Sequence, residues 1–412
     1  MISGGPWSVV CGPIQVAMNG RERIAAAMRH KLPDRTPVMC QLALGHYFLN
    51  VDLPPHCIWF TSEGFAEALV KLERQYRFDG ILINLPGRPV NILDDVVSIE
   101  ATSEGERLTW RDDGVTLVPW DDSPHHVSAD GSSLKRASFE SLDPEHLENL
   151  DELTGYTWNI YHVPHLTGKG APGPLSEIPD YFFRTIDLVR AQVGNEVSVH
   201  GEVFSPFTHY MELLGYEQAL VGLVKDRGKA HALLDRLAEA AVMWARAQAQ
   251  CGVDAVLISS AFAGGGFISR KMYSEFVVPY ERRVTKAVKA ENVPVYTHTC
   301  GKISDRLDLM AETGTQGVDT LDPPPLGNVE LAEAKRLIGD RLFIKGNMNS
   351  VALLAYQTRE EVIAEAARCL RDGAPGGGYI LSTACSVAPR VEPWKLELLA
   401  PLAEEMTGRG LV

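Results

Sequence analysis

A histidine and a cysteine one residue apart, His298-Thr299-Cys300-Gly301, and a second cysteine far downstream, Cys385 in LSTACSVAP, are the residues best suited to chemistry in this sequence. One imidazole and two thiolates match the nitrogen and sulfur preference of zinc. Three protein ligands leave a fourth position for a weaker ligand or a substrate, which is how catalytic zinc sites differ from structural ones. An isolated H-x-C pair is a weak signal, because buried free cysteines commonly serve as small apolar side chains. Here both segments follow short apolar β-type runs, so the weight of the motif rests on where those runs sit.

The runs recur along the whole chain. Strands are expected at 36–42, 80–85, 196–203, 255–259, 294–297, 317–321, 342–345 and 379–382. Helical stretches at 21–31, 63–76, 181–192, 228–251, 270–290, 303–312, 331–338, 359–371 and 393–405 alternate with them. Strand–helix alternation of this kind predicts an α/β fold with a parallel sheet, and the count predicts a single-domain (β/α)8 TIM-like barrel over 21–412. An open doubly wound sheet is the alternative, but no glycine fingerprint follows the first strand. Residues 98–131 turn polar and alternating with DDG and ADG turn signals, which reads as a β-hairpin excursion after strand two. Residues 154–178, rich in Gly and Pro and with aromatics between 156 and 161, read as a long surface loop. Residues 1–20 read as an N-terminal arm that could dock on a second copy in a homodimer.

Barrel active sites lie at the C-terminal ends of the strands. His298 and Cys300 just past strand five and Cys385 just past strand eight would therefore share the barrel mouth. Glu202, Asp322 and Asn347 stand at other strand ends and are the candidate catalytic residues. A carboxylate there could fill the fourth zinc position or bind a substrate amine or hydroxyl, and each is also compatible with capping the next helix or bracing a loop. His200 precedes Glu202 on its strand and could point into the barrel, whereas His125 and His126 read as solvated hairpin surface. Cys40, Cys251 and Cys369 read as packing residues, and Cys11 and Cys57 have no metal spacing. The glycine runs 264–266 and 376–378 lack a phosphate-loop pattern.

The formal net charge of −14 argues against a nucleic-acid partner, which would need a basic face. No run of apolar residues is long enough for a transmembrane helix, so no membrane role is expected. The start lacks a signal-peptide pattern. Seven sparse cysteines fit free thiols in a reducing cytoplasm.

Several segments resemble the uroporphyrinogen decarboxylase superfamily from residue 21 onward: LPDRTPV, GEVFSPFTHYMELLG, ISRKMYSEFVVPYERRV, VPVYTHTCG, LDPPPLGNVELAEAKRLIGDR and KGNMNSVALL. The resemblance implies a distorted (β/α)8 barrel. It also offers two chemistries. The decarboxylases need no metal and grip a polycarboxylate tetrapyrrole with an arginine-rich segment after strand one; here that segment reads CQLALGHYFLN, without arginine. The corrinoid-dependent methyltransferases carry H-x-C and a distant C as zinc ligands, a pattern that His298, Cys300 and Cys385 match. That branch implies a corrinoid (cobalamin) on a partner corrinoid-binding protein. It further implies a small methyl donor or acceptor, as in O-demethylation of methoxylated aromatics or methylation of a thiol.

Overall fold

The structure, a computed structural model, describes residues 17–132, 136–147, 178 and 180–412. Seven strands, β1 (Gly80–Ile83), β6 (Ser198–Phe204), β7 (Ala255–Ser259), β8 (Val295–Thr299), β9 (Gly317–Thr320), β10 (Phe343–Met348) and β11 (Tyr379–Thr383), form one parallel sheet in that order. Each is buried on both faces, which is why they read in sequence as continuous apolar runs rather than alternating ones.

The expected strand at 36–42 closes the sheet into a barrel but is not a regular strand. It bridges to β11 at Val38 and Leu381, and to the segment that follows β11 at Leu42 and Val387. On its other side the amide of Asp79 donates to the Val38 carbonyl at 2.7 Å. Two features of the sequence explain the irregularity. Pro37 has no N–H to give to a ladder. The Val38 N–H is taken by the Asp79 carboxylate at 2.8 Å instead of a neighbouring strand carbonyl. Arg35 grips the same carboxylate through both terminal nitrogens, at 2.7 and 3.0 Å, and Arg23 adds a contact at 3.1 Å.

The barrel has a plugged floor and a polar upper interior. Strand alternation turns Leu82, Ala255, Tyr296, Phe343 and Ile380 inward near the strand starts, where they pack on Ile24, Ala27 and Met28 of the helix Gly20–Met28. That helix starts at Asn19 through a capping box with Glu22. Outward residues such as Val199, Val256, Val318 and Ile344 join the shell of helices in a single large core.

Two expected helices are each broken in two. Residues 270–290 fold as Arg270–Phe276 and Val278–Ala290, and 393–405 as Pro393–Glu397 and Leu399–Gly408. In each case a proline, Pro279 or Pro401, removes the amide that would bridge the break. The excursion after β1 is also larger than a hairpin. It is a four-stranded antiparallel sheet, β2 (Val96–Ala101), β3 (Gly105–Trp110), β4 (Val115–Pro119) and β5 (His125–Val127), with buried Leu108, Trp110 and Val118 on one face. Trp110 packs edge-on against Phe60. Within this sheet His126 is buried against the Thr116 hydroxyl at 2.8 Å, not solvated as its sequence setting implies; His125 is exposed. Residues 1–16 of the expected arm and 154–177 of the expected loop lie outside the described residues.

Asp79 is the joint of the irregular strand. Asp79→Ala leaves Arg35 and the Val38 amide without their buried acceptor and is expected to destabilise the protein by roughly 3–5 kcal/mol. Denaturant unfolding checks this, with the exposed Arg74→Ala as a control; equal midpoints for the two variants would show that the joint carries no such weight.

Candidate metal centre

The site grows out of alternation on β8. Tyr296 faces the barrel interior, so His298, two residues on, faces it one layer higher. The strand runs further than its sequence implies, and His298 lies inside β8 rather than just past it. Its neighbour across the ladder is Asp319 on β9, whose own neighbour on β10 is Lys345. Three ionisable side chains thus stand in a row across three adjacent strands. The Lys345 ammonium lies 3.1 Å from each Asp319 carboxylate oxygen, and Asp319 Oδ2 lies 3.2 Å from His298 Nδ1.

At the end of β9 the chain passes through two residues of positive φ, Thr320 (φ 84°) and Leu321 (φ 54°). A non-glycine pair in that region is uncommon and costs backbone energy, a pattern that clusters at functional sites. The Thr320 hydroxyl lies 2.8 Å from His298 Nδ1, and Asp322 Oδ2 accepts from the Gly301 amide at 2.7 Å. Gly301 itself has φ 79°, and Gly264 lies so close to the Cys300 carbonyl that a Cβ there would collide with it. The loop carrying Cys300 is therefore clamped from two sides.

His298 Nε2 lies 3.2 Å from Cys300 Sγ, and Cys300 Sγ lies 3.9 Å from Cys385 Sγ. Donor atoms of all three residues fall within 4.8 Å of one another. Ligands around one tetrahedral zinc, with bonds of 2.0–2.3 Å, stand about 3.5 Å apart, so these spacings fit such an ion. The hydrogen bond from Nδ1 to a carboxylate completes the arrangement, because metal-binding imidazoles are oriented through their other nitrogen.

The electrostatics agree. Burial opposes a charge on His298, but Asp319 and Cys385 outweigh it and raise its pKa from 6.5 to about 10. The two thiols cannot ionise independently so close together. Cys385, hydrogen-bonded by the Cys300 thiol and facing the imidazolium, is held well below the usual thiol range, and Cys300 is pushed well above it by Cys385 and by burial. Asp319 stays low despite burial because Lys345 and His298 face it.

The other expected site residues divide. Glu202 is buried inside the barrel with Oε2 unpartnered; burial raises its carboxyl to about 7, with His298 and Ser259 pulling the other way. Asp322 Oδ1 is likewise buried without a partner, and burial raises that carboxyl too. Asn347 belongs elsewhere: its amide donates to the carbonyls of Leu321 and Val329, and Cys369 of the outer helix Arg359–Gly373 lies 3.8 Å from its oxygen. Those bonds brace the loops after β9, the structural alternative that its sequence position leaves open beside a catalytic role. His200 does point into the barrel, where it meets the Tyr296 hydroxyl at 2.9 Å and burial lowers its pKa to about 3. Sequence reading missed Asp319 and Lys345. Their signal was a charge in each of two otherwise buried strands, which parallel barrel strands rarely carry without a purpose.

The sequence model of the family described as "Uroporphyrinogen decarboxylase (URO-D)" matches residues 171–406, more than half of the chain. The chain belongs to the uroporphyrinogen decarboxylase (URO-D) family. Among curated relatives, a protein described as "Uroporphyrinogen decarboxylase" of Thioalkalivibrio sulfidiphilus is 30% identical over 252 residues, 59% of this chain and 68% of the relative. A protein of Methanosarcina barkeri strain Fusaro, described as "Methylcobamide:CoM methyltransferase MtaA", is 28% identical over 220 residues, 53% of this chain and 62% of the relative. A solved structure, "methyltransferase from Methanosarcina mazei", superposes with a TM-score of 0.68 over 94% of this chain and 99% of its own at 17% identity, a likeness of fold. URO-D family membership thus agrees with the barrel and leaves the chemistry to the site.

Because the folded pKa of His298 is raised, its stabilising contribution in metal-free protein is complete below pH 6.5 and is lost as pH rises towards 10. Asp319→Asn should lower the imidazole pKa and flatten that part of the stability profile. Imidazole NMR and melting temperature against pH, on chelator-treated protein, check both; an unchanged imidazole titration would remove Asp319 from the site.

Proposed function

We propose that this chain is a methyltransferase of the zinc-containing, corrinoid-dependent kind, with His298, Cys300 and Cys385 as the zinc ligands. In this reading the methyl group moves between a cobalt corrinoid on a partner protein and a small O- or S-methyl compound or thiol. The observation that carries the proposal is the convergence of one imidazole and two thiols from distant strands, with the imidazole oriented by a buried carboxylate. The likeness to the methylcobamide:CoM methyltransferases supports the choice of branch.

Bound by these side chains, zinc would supply Lewis acidity, keeping a substrate thiol or hydroxyl ionised at neutral pH or polarising the heteroatom of a methyl donor. The protein's own groups prepare the place. Asp319 and Thr320 engage His298 Nδ1 and leave Nε2 to face the cysteines. Lys345 offsets the Asp319 charge, so the carboxylate orients the ring without adding net charge to the interior. Asp322 is fixed through one oxygen by the Gly301 amide and keeps the other buried and unpaired, ready for a substrate hydroxyl or a fourth ligand role. Glu202, with its carboxyl near 7, can take or release a proton at Oε2 at physiological pH.

The competing reading is a metal-free tetrapyrrole decarboxylase, favoured by the description of the Thioalkalivibrio relative. Against it stands the absence of arginines in the segment after the first barrel strand, which a polycarboxylate would need. Nor is Arg88, after β1, free to replace them: it is buried over Trp59 and donates to the Trp59 and Pro86 carbonyls.

Two assays separate the readings. Zinc-loaded protein is incubated with methylcobalamin and thiols, or with Co(I) cobalamin and methoxylated or methylthio compounds, and cobalt absorbance is followed. A zinc-dependent change in one direction is expected, reduced more than about 100-fold by Cys385→Ser. Conversion of uroporphyrinogen to coproporphyrinogen at a useful rate, unaffected by chelation, would overturn the proposal.

A further inference from the structure

A second thiol cluster lies outside the metal centre, where the excursion sheet meets the barrel. His56 and Cys57 sit on the helix Pro55–Phe60, and Glu106 sits on β3. One oxygen of Glu106 accepts from the His56 amide at 2.7 Å and lies 2.9 Å from His56 Nδ1. The other ring nitrogen, Nε2, lies 3.3 Å from Cys57 Sγ. Carboxylate, imidazole and thiol thus stand in line, with the base between its orienting group and the nucleophile it serves.

We infer that Cys57 is a nucleophilic thiol, served by His56 and Glu106, that forms mixed disulfides with low-molecular-weight disulfides. The environment fits. The side chains of His56 and Glu106 are 15% and 10% exposed, so their contact is sheltered from solvent, while Cys57 is only half-buried. Burial works against a charge on His56, yet Cys57 and Glu106 raise its pKa to about 9, so the ring readily holds the thiol's proton. Among the described residues, the other thiols outside the metal centre are placed differently. Cys40 and Cys369 are buried, and Cys251, half-buried near Asp187, is pushed up by burial and by that carboxylate. The Glu106 carboxylate stands 50 residues from His56 and meets that ring only through the docking of the excursion sheet.

The step balances without further reagents. The Cys57 proton passes to His56 Nε2, and Sγ attacks one sulfur of RS–SR. The S–S bond breaks, and the departing thiolate takes the proton from His56 as RSH. Cys57 ends oxidised as Cys57–S–SR, one sulfur of the disulfide ends reduced, and the adduct sits at the seam between helix and sheet.

The test treats the intact, zinc-loaded protein with oxidised glutathione at neutral pH and resolves each cysteine by peptide mass spectrometry. Cys57 should form its mixed disulfide at least about tenfold faster than the similarly exposed Cys251. Glu106→Gln should slow it severalfold, and His56→Asn should bring it to the Cys251 rate, while labelling of Cys251 stays constant. Iodoacetamide, which needs no disulfide, should repeat the order in wild-type protein and decides the matter should either variant unfold. A Cys57 rate no greater than that of Cys251 with both reagents would overturn the inference, as would an unchanged rate in a folded Glu106→Gln protein.

Discussion

The buried row Lys345–Asp319–His298 is the interaction on which the candidate site depends. Two of its members are at most 2% exposed, where an unpaired charge is severely penalised. The row is tolerable because Lys345 and Asp319 neutralise one another and the imidazole completes the carboxylate's hydrogen bonding. The same contacts fix which nitrogen His298 presents to the cysteines. Stability and function are tied together here, since loss of any one member strands the next.

The barrel makes this row affordable. Its lower interior is largely apolar and sealed by the helix Gly20–Met28, with His200 and Ser198 as a polar pair bonded to each other. Across the ladder His200 stands beside Ala255, Leu257 beside Glu202 and Tyr296, and Ser259 beside His298, which neighbours Asp319 and, beyond it, Lys345. Cys300, Asp322 and Cys385 follow at the strand ends. Polarity rises with height because strand C-termini are where the covering layers stop, and that gradient is what makes the mouth of a parallel barrel a place for chemistry.

Much of this was legible from sequence. Long parallel strands announce themselves as apolar runs, and the seven regular strands fall within a few residues of their expected positions. His298, Cys300 and Cys385 could be paired because the fold dictates where strand ends meet, whatever their separation along the chain. What escaped has physical causes. The strand at 36–42 pairs only through isolated bridges and gives its Val38 amide to a side chain, Asp79, and side-chain substitution for a backbone bond leaves no periodic trace. Asp319 and Lys345 are not legible from strand-end position, because these orienting groups sit inside β9 and β10, level with His298. Asn347 shows the ambiguity of strand-end position: a polar residue there can brace neighbouring loops and face the outer helix. The Cys57 cluster depends on how the excursion sheet docks, which local pattern does not encode.

The central claim is that three side chains, and not four, hold one zinc at the mouth of the barrel. The most direct test is metal quantification with zinc-edge X-ray absorption on purified protein and on the Cys300→Ser and Cys385→Ser variants. The account predicts about one zinc per chain bound by two sulfurs, one nitrogen and a light-atom fourth ligand, with most of the metal lost from each variant. Full zinc occupancy in Cys385→Ser, or a first shell closed by protein sulfur and nitrogen alone, would contradict it.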